Sequence, residues 1–221
     1  MGKTRRLWLD GGLWVLFLLL AGAPLTTCAQ ADLQKLFGSW TGNQYRNSYF
    51  GFSLRIPSTM HFLDEESRGQ AAELTEQLSR INDPDLRKKV LERDTRQLKL
   101  VHVGQYPLGA KVPLNPNIVI TAVNKSILPN VSTPEHFLEL TLLSLKKAGI
   151  PYKMEPINQA NIGNRELPHL RTEIDFRDRK LLQDAYCLVR KDYMLGITIV
   201  YTDEEQRQKL QQILDSIQFT D

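Results

Sequence analysis

Three strand-like segments follow one another in the last third of the chain, and few folds accommodate such a succession. They cover about residues 166–177, 181–191 and 193–201. Short polar turns at 177–180 and 191–192 separate them, and turns this short join neighbouring antiparallel strands. The segments therefore predict a meander in one antiparallel sheet. The last segment is mostly apolar, which predicts a central position in that sheet.

A helix is predicted directly after this meander. Thr202 and Glu205 form a capping box at its start. Beyond them, apolar residues recur at the i, i+3, i+4 and i+7 spacing of an amphipathic helix: Leu210, Ile213, Leu214 and Ile217. We expect this helix to pack its apolar side on the sheet.

A second, more apolar helix is predicted over residues 134–148. Thr133 is its N-cap and Pro134 lies in its first turn, while Gly149 and Pro151 end it. Leucine and phenylalanine residues surround most of its circumference. A helix of this composition has to bury most of its surface, so we expect it to cover a sheet face or another large surface.

Further strands are predicted in the first half of the chain, over 45–56, 98–103 and 117–125. The first of them is rich in aromatic residues, contains Gly51 and ends at Pro57, which fits either a pair of strands or one bent strand. Between the first two strands the sequence is charge-rich and only thinly apolar. We interpret this part as a helical insertion near 64–96 that packs on the surface.

The insertion is predicted to contain two helices. The first covers about residues 65–80, and the second begins with Asp83 as its N-cap and Pro84 at its first helical position. After the next strand comes a proline- and glycine-rich stretch, 104–117, which is a poor helix and a poor central strand. We interpret this stretch as a loop, and loops of such length are often functional.

Residues 1–31 have the composition of a secretory signal peptide. Lys3, Arg5 and Arg6 stand before an apolar stretch over 13–23, and small residues follow it. The apolar stretch is shorter than the roughly 20 residues that a membrane-spanning helix needs. We therefore expect an exported, secreted protein, located in the periplasm, the cell envelope or the extracellular space.

Two processing outcomes fit this leader. Ordinary signal peptidase would cleave after Ala31 or Ala29, where small residues are correctly spaced. Alternatively, Leu25-Thr26-Thr27-Cys28 resembles a bacterial lipobox, in which the cysteine thiol is lipidated and becomes the first residue. Thr27 departs from that pattern, in which Gly, Ala or Ser is usual. A lipid on Cys28 is the only membrane contact that the sequence predicts.

The charge of the chain excludes one class of partner. Of 28 basic and 25 acidic residues, three basic and one acidic belong to the leader, so the mature chain is nearly neutral. A nearly neutral chain without a basic stripe lacks the electrostatic footprint of a nucleic-acid-binding protein. We therefore expect no nucleic acid among its partners.

Cysteine usage gives no disulfide framework. Only Cys187 remains when Cys28 is removed with the leader or lipidated. Cys187 lies within a predicted strand and has no base close to it in sequence. We interpret it as a small apolar core residue, because a reactive thiol needs a neighbouring basic group.

No sequence motif for catalysis or for a cofactor is present. The nucleophile elbow Gly-x-Ser-x-Gly, the Walker loop, the dinucleotide fingerprint, Cys-x-x-Cys and His-Glu-x-x-His are all missing from the sequence. The four histidines, His61, His102, His136 and His169, show no metal-ligand spacing. We expect no catalytic residues, no metal site and no cofactor.

Several of these features together resemble the PsbP-like family of lumenal and bacterial exported proteins. The features are the buried middle helix, the antiparallel meander, the opening segment Tyr45-Arg46-Asn47-x-x-Phe50-Gly51-Phe52-Ser53-Leu54-Arg55-Ile56-Pro57 and the ending Leu214-Asp215-Ser216-Ile217-Gln218-Phe219. The resemblance implies an α+β fold in which helices flank an antiparallel sheet as an α/β/α sandwich.

The resemblance extends over nearly all of residues 43–220. It implies a single PsbP-like domain over 43–221, preceded by the signal peptide 1–31 and an N-terminal linker over 32–42. It further implies a binding or assembly module and carries over no catalytic residues.

Two classes of function follow. The first is an exported, non-catalytic module that binds an unidentified protein of the cell envelope, with the loop 104–117 and the insertion 64–96 as contact surfaces. The alternative is a small-ligand-binding protein or hydrolase with a site in a cleft of the sheet. That alternative requires His102, His169 and a carboxylate to converge on one cleft.

Overall fold

The computed structural model describes residues 33–63, 66–176 and 179–220. The predicted signal peptide and Cys28 lie outside the described residues. In chain order the elements are α1 (which includes residues 33–37), β1 (Ser39–Thr41), β2 (Gln44–Asn47), β3 (Phe52–Arg55), β4 (His61–Phe62), α2 (Glu66–Ser79), α3 (Pro84–Asp94), β5 (Gln97–Gly104), β6 (Asn117–Asn124), a short 3-10 helix (Lys125–Ile127), α4 (Pro134–Lys147), β7 (Tyr152–Met154), β8 (Asn158–Ile162), β9 (Arg165–Phe176), β10 (Arg179–Arg190), β11 (Tyr193–Tyr201), α5 (Glu204–Asp215) and β12 (Gln218–Phe219).

An eight-stranded antiparallel sheet forms the centre of the fold. Its strand order is β4-β5-β6-β11-β10-β9-β7, and β8 also pairs with β9. The predicted meander is confirmed as β9, β10 and β11, with Cys187 opposite Gly196 and Tyr186 opposite His169. The apolar strand β11 lies between β6 and β10, in the interior of the sheet as its sequence predicted.

A second, smaller sheet has the order β1-β2-β3-β12. Its central pair, β2 and β3, is the strand pair that 45–56 offered as one alternative, whereas β1 and β12 were not predicted. It brings the two ends of the described chain together, because β12 pairs with β3 through Gln218 opposite Ser53 and Phe219 opposite Phe52. The opening and ending segments that carry the family resemblance are therefore neighbours in this sheet.

Two apolar cores lie on opposite faces of the large sheet. Tyr186 and its neighbour Cys187 belong to different cores, as the alternation of side chains along a strand requires. The larger core lies between the large sheet, α5 and the inner face of the small sheet. The smaller core lies under α4, where Leu138 and Leu142 contact Leu170 and other residues. The expected antiparallel sheet flanked by helices is therefore confirmed.

The helical insertion is present as α2 and α3. Asp83 caps α3, since its side chain accepts hydrogen bonds from the backbone N–H groups of Asp85 and Leu86, and Pro84 follows it as predicted. α2 contributes Leu74 and Leu78 to the larger core. α3 buries none of its residues, so it contributes little to the core.

Two details differ from the sequence predictions. The segment 32–42, predicted as a linker, contains α1 and β1, and Leu33 in α1 is buried in the larger core. The N-cap of α5 is Asp203 rather than Thr202, because the Asp203 carboxylate accepts the backbone N–H of Gln206 at 2.9 Å. An aspartate caps a helix as well as a threonine does, so the cap falls one residue later.

Candidate functional site

The most unusual feature of the larger core is a fully buried carboxylate, that of Asp184 in β10. Alternation along β10 places Asp184 on the same face as Tyr186 and Leu188, both of which belong to the larger core. Burying an ionised carboxylate costs several kcal/mol in order of magnitude unless charges and hydrogen bonds compensate it.

Four side chains surround the Asp184 carboxylate. Arg171, directly opposite on β9, donates from Nε to Oδ1 at 2.7 Å and from Nη2 to Oδ2 at 2.9 Å. His169 Nε2 lies 3.0 Å from Oδ1, and the Tyr201 hydroxyl donates to Oδ2 at 2.8 Å. Arg207 of α5 adds a longer contact, Nε to Oδ2 at 3.4 Å. The buried charge is thus compensated from three elements other than its own strand.

A second set of contacts holds these partners in place. The other ring nitrogen of His169, Nδ1, lies 2.9 Å from Oδ1 of Asn158 in β8, and the ring stacks on Tyr186 with centroids 4.8 Å apart. Arg207 also donates to Glu204 at 2.9 Å. We call the central residues the Asp184 cluster: Asn158, His169, Arg171, Asp184, Tyr201 and Arg207.

The contacts within the cluster shift the pKa values of its residues. Burial by itself raises the pKa of Asp184, but the hydrogen bonds from His169, Arg171 and Tyr201 outweigh it and hold that pKa well below its ordinary value. The bond to Asp184 raises the pKa of Arg171 above its ordinary value. Burial, followed by the bond to Asp184, raises the pKa of Tyr201. The cluster therefore holds one carboxylate anion, the two guanidinium cations of Arg171 and Arg207, and a neutral phenol at neutral pH.

The geometry of the cluster suits fixing elements together rather than catalysis. A histidine that activates a nucleophile needs one nitrogen on an orienting carboxylate and the other on a hydroxyl or thiol. His169 has the carboxylate of Asp184, but its other nitrogen faces the amide of Asn158. Asp184 accepts on both oxygens, so its lone pairs are occupied by protein donors.

The other histidines lie elsewhere. His102 pairs in register with Val119, which pairs with Thr198, which pairs with Ala185. Ala185 belongs to the core under α4, so His102 lies on the face of the sheet opposite to His169. His61 and His136 are exposed, on β4 and α4. The structure therefore joins His169 to a carboxylate but does not bring His102 to the same cleft.

Within the described ranges, no group of three or more His, Cys, Asp or Glu side chains is placed to hold a metal ion. Cys187 is fully buried under α4, as its sequence context predicted. Burial raises the pKa of its thiol to about 12, which leaves it protonated and unreactive at neutral pH.

Sequence reasoning missed the Asp184 cluster, although a signal was present. Leu182, Asp184, Tyr186 and Leu188 alternate along β10, so a strand prediction already places the carboxylate on an apolar face. A charge in such a position needs a partner. The partners themselves are 13 to 23 residues away along the chain, and only the strand pairing and α5 bring them together.

The predicted loop is the second feature of interest, and the structure places it between β5 and β6, over residues 105–116. Its base is fixed by hydrogen bonds: the Gln105 backbone N–H donates to the Pro116 carbonyl at 2.8 Å, and the Asn115 side chain both donates to and accepts from the backbone of Tyr106. The loop is therefore built on an internal hydrogen-bonded frame.

A tight turn forms the tip of this loop. The Ala110 backbone N–H donates to the Pro107 carbonyl at 3.1 Å, and Gly109 has a φ of 82°. This positive φ is the one that the third position of a type II turn requires. Leu108 occupies the corner of the turn and is 79% exposed. The loop thus holds a large apolar side chain out into solvent.

None of the helices in the described part of the chain is both long and apolar enough to span a bilayer.

Comparisons with known proteins find similar solved structures but no sequence match. No family model matches the chain, and no curated protein matches it. The solution structure of cyanobacterial PsbP from Synechocystis sp. PCC 6803 is similar, with 10% identity over 83% of this chain and 98% of that one and a TM-score of 0.48.

Two further solved structures are similar over part of their length. A crystal structure from Bacteroides thetaiotaomicron VPI-5482 aligns with 82% of this chain at 8% identity and a TM-score of 0.42, and the chain spans half of that protein. LpqN of Mycobacterium tuberculosis, involved in cell envelope biogenesis, aligns with 57% of this chain and 79% of its own at 13% identity and a TM-score of 0.38. Independently of these comparisons, the antiparallel sheet flanked by helices that the sequence resemblance implied is the fold of this chain.

Proposed function

We propose that the protein is an exported, non-catalytic α/β module that binds a protein partner at the cell envelope through the loop 105–116. The observation that carries this proposal is the exposed Leu108 at the tip of a hydrogen-bonded loop. A loop held by hydrogen bonds loses little conformational entropy on binding. Most of the free energy gained by burying an apolar side chain at its tip therefore strengthens the affinity.

The surroundings of Leu108 fit a protein groove. Pro107 and Pro113 are exposed on either side of it, and Lys111 is the one charged residue of the loop sequence. Exposed apolar side chains anchored in a partner's pocket are the usual source of binding energy in protein interfaces, with polar residues around them. The insertion adds a second surface, since Leu86 of α3 is half-exposed.

The Asp184 cluster supports the non-catalytic part of the proposal. Asp184 and His169 are hydrogen-bonded to other protein groups, and the hydrogen bonds of the cluster connect β8, β9, β10, β11 and α5 to one another. A hydrolase would instead leave one of these groups directed at a substrate.

Photo-cross-linking tests the proposed contact. A photoreactive amino acid replaces Leu108 in the full chain, and cells of the producing organism are irradiated. We expect a discrete adduct of higher mass in the envelope fraction. The matched control carries the same probe at Leu143, an apolar residue of α4 that is 46% exposed. The proposal is contradicted when neither position, or both positions equally, give the adduct.

Export is tested by the mass of the mature N-terminus. Cleavage after Ala31 or Ala29 gives an unmodified chain, whereas lipidation gives an acylated Cys28. Cys28→Ser is the control, because it removes the acylation site and would release the protein from the membrane fraction only if a lipid holds it there. A chain that keeps residues 1–31 would contradict the export that we propose.

A further inference from the structure

The outer face of the small sheet carries positive charge and no negative charge. The larger core covers the inner face, so alternate residues of each strand point outward. The outward positions of β1, β2, β3 and β12 are Ser39, Thr41, Gln44, Arg46, Ser53, Arg55 and Gln218. Not one of these positions in the four described strands is Asp or Glu.

The two arginines lie close to each other. Arg46 of β2 is opposite Ser53 of β3, and Arg55 is opposite Gln44, so the arginines are diagonal neighbours. Diagonal positions in an antiparallel pair are about 7–8 Å apart. Neither guanidinium makes an ion pair with a carboxylate of the described residues, and both side chains are exposed. The pair therefore presents a double positive charge to solvent.

A groove continues this face towards α1. It has a volume of about 340 Å³, and the described residues that line it include hydrogen-bond donors and no Asp or Glu: Gln34, Lys35, Gly38, Ser39, Arg46 and Ser48. Guanidinium groups bind phosphate oxygens in a two-pronged manner, and serine hydroxyls donate further hydrogen bonds to them. The chemistry of the face is thus complementary to phosphate groups.

A lipid on Cys28 would bring this face near the membrane. The described residues begin at Leu33, two residues before Lys35 of the groove. Cys28 is seven residues before Lys35 in the sequence. Seven residues span at most about 25 Å even when fully extended. A lipid on Cys28 would hold the groove within that distance of the bilayer surface.

We propose that the outer face of the small sheet, centred on Arg46 and Arg55, binds the phosphate headgroups of an anionic lipid bilayer. This surface is distinct from the loop 105–116, so the two proposals stand or fall separately. Each basic residue near an anionic bilayer strengthens binding by about fivefold. Loss of both arginines therefore weakens binding by about 25-fold.

Vesicle co-sedimentation of the full chain tests this proposal. Vesicles contain either phosphatidylcholine alone or phosphatidylcholine with phosphatidylglycerol, and the readout is the extra binding that the anionic lipid produces. The test variant is Arg46→Gln with Arg55→Gln. The control is Lys146→Gln with Lys147→Gln, which removes the same charge from exposed residues of α4, on the opposite side of the large sheet. Circular dichroism verifies that both variants are folded.

We expect the extra binding to fall by about 25-fold in the arginine variant and to stay unchanged in the lysine variant. It should also disappear at 1 M salt, where the Debye length is about 3 Å. Equal losses in the two variants would overturn the proposal, because they show an effect of net charge alone. Full competition by millimolar glycerol phosphate would overturn it as well, since it indicates a site for a free phosphate ligand rather than for a bilayer.

Discussion

Arg171 and Asp184 lie directly opposite each other on β9 and β10, and the guanidinium holds the buried carboxylate with two hydrogen bonds of 2.7 and 2.9 Å. Such a two-pronged pair fixes the relative position of both side chains as well as their charge. Because His169, Tyr201 and Arg207 reach the same carboxylate, one buried anion links three neighbouring strands to α5.

Replacement of this carboxylate is therefore expected to destabilise the fold. Asp184→Asn keeps the shape of the side chain but leaves Arg171 and Arg207 without their buried counter-charge. Removing one partner of a buried ion pair costs about 3–5 kcal/mol. Arg171 and Arg207 are 30% and 28% exposed, so water relieves part of this cost and we expect about 3 kcal/mol. Urea unfolding measures the loss.

Glu173→Gln is the matched control for this variant. Glu173 pairs with Lys180 at 2.8 Å across the same two strands but lies in contact with solvent. Exposed pairs contribute little to stability, so we expect a much smaller loss of unfolding free energy. Equal losses for the two variants would show that the Asp184 carboxylate has no special role in the fold.

A low pH should remove the stabilisation that the Asp184 carboxylate provides. In the folded chain the pKa of Asp184 is held below the value of roughly 3.9 that an unfolded aspartate has. The contribution of Asp184 to the free energy of unfolding is therefore complete above the unfolded-state pKa and is lost as the pH falls towards the folded-state pKa. The stability difference between the wild-type chain and Asp184→Asn should be constant from about pH 7 to pH 5 and should shrink below about pH 4. Urea unfolding across this range tests the direction. A difference that grows on acidification contradicts the assignment.

The Tyr201 hydroxyl should stabilise the fold only through Asp184. Tyr201→Phe removes the donor 2.8 Å from Oδ2 and keeps the buried ring. A hydrogen bond to a charged group is worth about 2 kcal/mol. In the Asp184→Asn background the same substitution should cost clearly less, because the charged acceptor is gone. A double-mutant cycle measures the coupling, and additive losses would mean that the hydroxyl acts independently of the carboxylate.

Close packing at the turn between β8 and β9 gives a further prediction. Gly163 has a φ of 55°, and a Cβ there would lie 1.7 Å from the carbonyl oxygen of Ile217. Gly42 has nearly the same φ, 56°, with no atom within 4 Å of such a Cβ. Gly42→Ala should therefore cost about 1–2 kcal/mol for the left-handed backbone alone. Gly163→Ala should cost more than about 4 kcal/mol. Similar melting temperatures for the two variants would contradict this packing.

Hydrophobic periodicity in the sequence predicted most strands of the large sheet and the longer helices of the chain, α2 to α5. The segments that became β9, β10 and β11 show clear alternation or continuous apolar character, and α5 has its apolar residues at helical spacing, so local pattern was sufficient. The strands β1, β4, β7 and β8 were not predicted. They have two to five residues each, too few to show a period, and they exist because β2, β5 and β9 offer them pairing partners.

The Asp184 cluster could not be predicted for a related reason. Its residues come from four strands and a helix, and the register between those strands decides which side chains meet. The loop at 105–116 was predicted because proline and glycine mark it in the sequence, but the exposure of Leu108 depends on a turn closed by one hydrogen bond. The Asp184 cluster therefore depends on contacts between residues distant in the chain, and the exposure of Leu108 depends on the hydrogen bonds of its loop. A local sequence pattern shows neither.

Binding of an envelope protein by the tip of the loop 105–116 can be measured as an affinity. The dissociation constant between the purified chain and the partner identified by cross-linking at position 108 is compared for the wild type, Leu108→Asp and Leu143→Asp. We expect at least about tenfold weaker binding for Leu108→Asp and an unchanged constant for Leu143→Asp. The same dissociation constant for all three chains would contradict this expectation.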